Sequence, residues 1–122
     1  MVSLHGGVGA GKTLFVRAVA HALGVSDRVV SPSFTLVVSY ELPQSAVERI
    51  GARRLVHIDL YRMQSEDEVD LLGIEEHFAS DTIALIEWPD RAGGLIPAGR
   101  IRVALEITGE EERGIRIDAA GD

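Results

Sequence analysis

The chain has 122 residues, 46% hydrophobic and 25% charged, which is the balance of an ordinary globular domain with one modest core. Its 12 Lys and Arg against 19 Asp and Glu leave a net charge of −7, a field that repels nucleic-acid phosphates and argues against independent DNA or RNA binding. There is no cysteine for disulfides or thiolate metal sites. No apolar run reaches membrane-spanning length and no secretory leader is recognisable, so a cytoplasmic location is the expectation.

In chain order, Val2 to His5 reads as a short buried strand running into glycines, followed by a helix over Lys12 to Leu23. Phe15, Val19 and Leu23 recur at four-residue spacing, and Gly24 follows as a C-terminal stop. The run "RVVSPSFTLVVSYEL" predicts a strand over Phe34 to Tyr40, with Pro32 shaping the turn before it. "PQSAVERIGA" reads as a connecting loop. Leu55 to Asp59 predicts a second strand, after which Ser65 can cap a short acidic helix, "EDEVDLLG", ended at Gly73. "IEEHFAS" adds another helical turn or two. "DTIALIEWPD", apolar throughout and closed by an acid, reads as a central strand covered on both faces. "RIRVALEITG" and "RGIRIDAA" then form a hairpin across "GEEERG". Together these elements predict an α/β fold of three layers, with a mixed, largely parallel central sheet and a C-terminal antiparallel hairpin. Residues 1–122 read as one domain, without repeats or low-complexity segments.

"GGVGAGKT" matches the G-x-x-x-x-G-K-[ST] pattern with Gly6, Gly11, Lys12 and Thr13, and an apolar strand before it and a helix at its end supply the context that pattern needs. Glycines let backbone N–H groups wrap phosphate oxygens, and a helix N-terminus adds partial positive charge. In this reading Gly6, Gly7, Val8, Gly9, Ala10, Gly11, Lys12 and Thr13 hold a nucleotide. Lys12 neutralises the β- and γ-phosphates, and the Thr13 hydroxyl faces Mg²⁺. Metal and attacking water also need acids, and two close predicted strands: Asp59 after "LVHI" and Glu87 after "IALI". If both strands run parallel to the first, their carboxyl ends reach the sheet edge where ligands of open α/β folds bind. The proline-stiffened "SPSF" carries Ser31 and Ser33, with Thr35 just beyond, hydroxyls that could meet a metal or γ-phosphate as switch loops do, or simply form a turn. Taken alone, Trp88 reads as a core aromatic and His57 as a satisfied structural histidine. Tyr61 and Arg62 could face phosphates or a partner.

The segments "LHGGVGAGKT", "SPSFTLVVSYEL", "HIDLYR" and "IEWPDR", in that order, resemble the TsaE (YjeE) family of bacterial P-loop ATPases, which serve in making threonylcarbamoyladenosine in tRNA. The resemblance spans most of the chain. It implies ATP and Mg²⁺ as cofactors, with Ser33 in the switch-loop threonine position and Asp59 as the acid implicated in hydrolysis. It also places Glu87 near the metal and Trp88 beside the nucleotide, so that the metal would meet Thr13, Ser33, Asp59 and Glu87. Which acid holds the metal and which orients the water stays open. The TsaD and TsaB proteins are the implied partners, with no direct tRNA binding by this chain alone and no membrane. Two positions depart from the family: Gly7 replaces a usual aspartate, and Ser33 replaces a threonine, keeping the hydroxyl without the methyl that steadies its rotamer. Family members also carry a strand and helix before the glycine-rich motif, which this sequence is expected to lack. A small-molecule or nucleotide kinase and a non-hydrolysing, nucleotide-dependent interaction module remain as alternatives. For a kinase lid the sequence offers only "DRAGG".

Overall fold

The structure, a computed structural model, describes residues 1–7, 9–26, 29, 32, 36–97 and 99–118. Six strands form one sheet in the order β2-β3-β4-β1-β5-β6. They are β1 (Val2–His5), β2 (Val37–Glu41), β3 (Arg54–Asp59), β4 (Thr82–Glu87), β5 (Ile101–Ile107) and β6 (Arg113–Asp118). The four inner strands run parallel, and β2 and β6 pair antiparallel at the two edges. This is the mixed, largely parallel sheet with a terminal hairpin that the sequence predicts.

Helices cover both faces. On one face α1 (Lys12–Ala22) and α2 (Gln44–Ile50) bring Val16, Ala20 and Ala46 onto Leu4, Leu55, Leu85, Val103 and Leu105. On the other, α3 (Glu66–Asp70) and two 3₁₀ segments, Ile74–His77 and Pro89–Leu95, set Val69, Ile74, Ala92 and Ile96 against Val56, Ile58 and Ile86. Each large aliphatic side chain so buried is worth about 1.5–3 kcal/mol before entropy is counted. Sandwiching explains the unbroken apolar run of β4, in which Ala84, Leu85, Ile86 and Glu87 are all buried. At the β5–β6 end the cover stops, and Ile101, Ile107, Ile115 and Ile117 are exposed.

Two expectations need correction. "PQSAVERIGA" is not a loop: Gln44–Ile50 is helical, started by Pro43 and closed by Gly51 at φ 72°. Its buried Ala46 and the glycine stop are the signals the polar composition obscured. The strand expected over Phe34 to Tyr40 is assigned from Val37 to Glu41, with Leu36 before it at φ 68°. Phe34 and Thr35 lie outside the described residues. Ser65 does cap α3, its Oγ accepting from the Glu68 N–H at 3.2 Å.

Candidate functional site

β1 delivers the chain to Gly6 in the middle of the sheet, with Leu4 beside Glu87 in the parallel register. Gly6 needs to be glycine. Its φ is +150°, and a Cβ there would stand 2.5 Å from the Leu105 carbonyl oxygen of β5. The loop turns through further positive φ values at Gly9 and Gly11 and releases the chain into α1.

The starts of α1 and α3 contrast. At α3 the first turn is satisfied by the Ser65 hydroxyl and flanked by Glu66, Asp67 and Glu68. At α1 the cap is Gly11, which makes no side-chain cap bond, and the first turn has no acid. First-turn N–H groups and the positive end of an 11-residue helix are an arrangement that favours an anion.

Lys12, the first residue of α1, is only 7% exposed. Its Nζ donates to the Gly6 carbonyl at 2.8 Å, lies 4.0 Å from Glu87 Oε1 and sits 4.0 Å from the centroid of the Trp88 ring. Burial lowers its pKa from the ordinary lysine value, and the carboxylates of Glu87 and Asp59 oppose that shift. Thr13, half-buried, follows on the same turn.

Parallel pairing of β3 with β4 sets Asp59 opposite Glu87, so two acids end adjacent strands beside the glycine-rich loop. Both are nearly out of solvent. Asp59 Oδ1 accepts from the Tyr61 N–H at 3.0 Å, and the Asp59 N–H donates to the Leu36 carbonyl at 2.9 Å. Burial raises the Asp59 pKa above the usual carboxylate value; the Tyr61 N–H lowers it, and the neighbouring Glu87 charge raises it further. Glu87 Oε2 meets His57 Nε2 at 2.5 Å. His57 is fully buried and lies two residues before Asp59 on the same face of β3.

Trp88 adopts a left-handed conformation, φ 57° and ψ 51°, which costs a bulky residue about 1–2 kcal/mol. The turn presents one ring face to Lys12 while the Tyr61 ring packs at 5.1 Å. Trp88 is therefore both a packed aromatic, against the Ile58 and Ile86 cluster, and a neighbour of the site lysine. With Leu4, His5, Gly6, Gly7, Pro89 and Asp90 it lines a cleft of about 240 Å³. Arg91 of "DRAGG" is occupied in holding the Met63 carbonyl, at 2.6 Å from its guanidinium.

The structure thus brings Gly6, Lys12, Asp59, Glu87 and Trp88 together. Val8, Ser31, Ser33 and Thr35 lie outside the described residues. Sequence reasoning missed the partnership of His57 with Glu87; the available signal was that His57 and Asp59 share the period-2 face of one strand. Among the described residues no group of three or more His, Cys, Asp or Glu is arranged to hold a metal ion, and no helix is long and apolar enough to cross a membrane.

Comparison with known proteins agrees with this frame. The family described as "Threonylcarbamoyl adenosine biosynthesis protein TsaE" matches residues 1–115. A Haemophilus influenzae protein named tRNA threonylcarbamoyladenosine biosynthesis protein TsaE is 36% identical over 106 residues, which are 87% of this chain and 62% of that protein. Its Bacillus subtilis namesake is 34% identical over 122 residues, covering 100% of this chain and 71% of the relative. The crystal structure of Bacillus subtilis YdiB superposes with a TM-score of 0.73 at 31% identity, over 98% of this chain and 68% of that one. With the sheet order, the glycine-rich loop and the paired strand-end acids in place, these matches settle the lineage: the chain belongs to the TsaE family, which serves in tRNA threonylcarbamoyladenosine biosynthesis.

Proposed function

We propose that this chain is a Mg²⁺-dependent ATP-binding and ATP-hydrolysing protein that supports the complex transferring threonylcarbamoyl to tRNA adenosine. The observation that carries the reading is the convergence of Lys12, at a helix start left free of side-chain caps, with Asp59 and Glu87 in register on adjacent strands.

Backbone N–H groups of residues 6–13 bind the triphosphate, and Lys12 moves from the Gly6 carbonyl to neutralise its β- and γ-oxygens. Mg²⁺ commonly takes one or two protein oxygens plus phosphates and waters. Thr13, Asp59 and, through its hydroxyl, Ser33 are the residues that would hold it; when bound, the ion supplies neutralisation of phosphate charge. Glu87 orients the attacking water, its Oε1 standing on the Lys12 side. Trp88 borders the nucleotide.

A small-molecule or nucleotide kinase stays the alternative, its lid-like Arg91 donating to the Met63 carbonyl and lying 5.9 Å from the centroid of the Trp88 ring. The TsaD and TsaB proteins are the proposed partners, and docking completes the site. Phosphate release from ATP, measured without added acceptor and with or without that pair, tests the reading. Acceptor-independent release that the pair accelerates supports it. Nucleotide-dependent partner binding without turnover would favour the interaction-module alternative.

A further inference from the structure

Glu87 is held at its backbone from both sides. Its carbonyl accepts from the Leu60 N–H at 3.1 Å, and β4 is flanked by β1 and β3 in continuous register. Among the described residues two buried groups meet its side chain: Lys12 Nζ, 4.0 Å from Oε1, and His57 Nε2, the nearer, at 2.5 Å from Oε2. The imidazole is itself fixed, with no exposure and with Val38 and Leu85 as its register neighbours.

The second ring nitrogen decides where the proton lies. Among the described residues Nδ1 has no hydrogen-bond partner although it is fully buried. A neutral imidazole carries one N–H donor and one bare acceptor, and a carboxylate only accepts. Placing the proton on Nδ1 would strand a buried donor and face two lone-pair-bearing atoms across a short contact. Placing it on Nε2 makes the bond to Glu87 and leaves an unpaired acceptor, the less costly orphan.

We propose that His57 is a positioning residue: with a proton on Nε2, it donates to Oε2 and so turns the Glu87 carboxylate with Oε1 toward Lys12 and the space where the attacking water is oriented. The proposal rests on the reading of Glu87 as the water-orienting acid. No proton is transferred between the two residues; the bond selects one orientation of an otherwise rotatable carboxylate, as partners behind reactive side chains do.

The test compares His57→Phe, which keeps a flat ring without the donor, with His57→Gln, which restores an N–H near the same place. Glu87→Gln and the double variant His57→Phe/Glu87→Gln complete the set. Single-turnover hydrolysis at saturating ATP and Mg²⁺ is measured with ATP affinity by calorimetry. His57→Phe is expected to slow hydrolysis roughly 10- to 100-fold with affinity changed by no more than about twofold. His57→Gln recovers part of the rate, and the double variant is no slower than Glu87→Gln alone. A wild-type rate in His57→Phe while Glu87→Gln is slow overturns the positioning role and leaves the role of Glu87 standing. A wild-type rate in Glu87→Gln overturns the underlying reading and the proposal with it. Equal losses of rate and affinity in both His57 variants mark a merely structural histidine and also overturn it. Should His57→Phe fail to fold, ¹⁵N-histidine NMR of the unaltered protein, which has 4 histidines, decides instead: an Nε2–H tautomer at His57 whose Nε2 signal moves in Glu87→Gln supports the proposal, and an Nδ1–H tautomer refutes it.

Discussion

Asp59 and Glu87 stand directly opposite one another across β3 and β4, both almost removed from water, with the amino group of Lys12 close to Glu87. Two buried acids side by side are a destabilising arrangement that a cation and a metal-bound triphosphate would relieve. On the proposed function, stability and activity therefore pull against each other here.

Asp59→Asn is the first test of that conflict. The folded-state pKa of Asp59 is raised, so the native protein holds this proton more tightly than the unfolded chain does. Ionised Asp59 then weakens folding above the folded midpoint, and the cost disappears as pH falls below the ordinary carboxylate range. Asn keeps an oxygen for the Tyr61 N–H and removes the charge. Thermal melts should show stabilisation of about 0.5–2 kcal/mol at neutral pH, fading at acid pH, while phosphate release falls. Equal stabilisation at every pH would show that charge is not the cause.

Lys12→Ala removes one charge-assisted contact to phosphate, worth about 1.5–3 kcal/mol, and should weaken ATP binding roughly 10- to 100-fold in a folded protein. Because Lys12 lies over the ring of Trp88, and this is the sole tryptophan, its emission should change on ATP addition and shift in the ATP-free variant. Unchanged calorimetric affinity would remove Lys12 from the binding site.

Gly6→Ala probes the loop without touching charge. The added methyl would collide with the Leu105 carbonyl, a backbone atom that cannot rotate away, and the backbone angle would be strained as well. A loss of about 1–3 kcal/mol is expected, with ATP affinity reduced because the Gly6 carbonyl also locates Lys12. Denaturant titration and calorimetry check both. Wild-type stability would mean that β5 yields easily at this point.

A net charge of −7 predicts no measurable affinity for tRNA alone at moderate salt. Slow turnover in isolation and strong stimulation by the TsaD and TsaB pair are expected with it, at saturating ATP. Gel-shift and phosphate-release assays decide; tight tRNA binding by the single chain, or a rate indifferent to the pair, contradicts the partner-dependent reading.

Much of this fold is legible in the sequence because its signals are local. The glycine-rich motif between Val2–His5 and Lys12–Ala22, the acid closing each of β3 and β4, and the Ser65 cap each announce themselves within a few residues. The helix Gln44–Ile50 was hidden because one buried alanine is too little apolar periodicity to separate it from a polar connection. The bond between His57 and Glu87 joins residues far apart in the chain, and only the register of two parallel strands reveals it. No spacing rule reaches that far.

The strand that carries the glycine-rich loop has its neighbours late in the chain: Val2 pairs with Leu85 on one side and Ile101 on the other. During synthesis that strand leaves the ribosome long before either flank exists, and such distant pairings form slowly. The loop has its Leu105 wall only once β5 has been made. If the chain binds ATP as proposed, a nascent or truncated chain stopping short of β5 should be unable to capture it, and nucleotide binding would then report completed translation of the sheet.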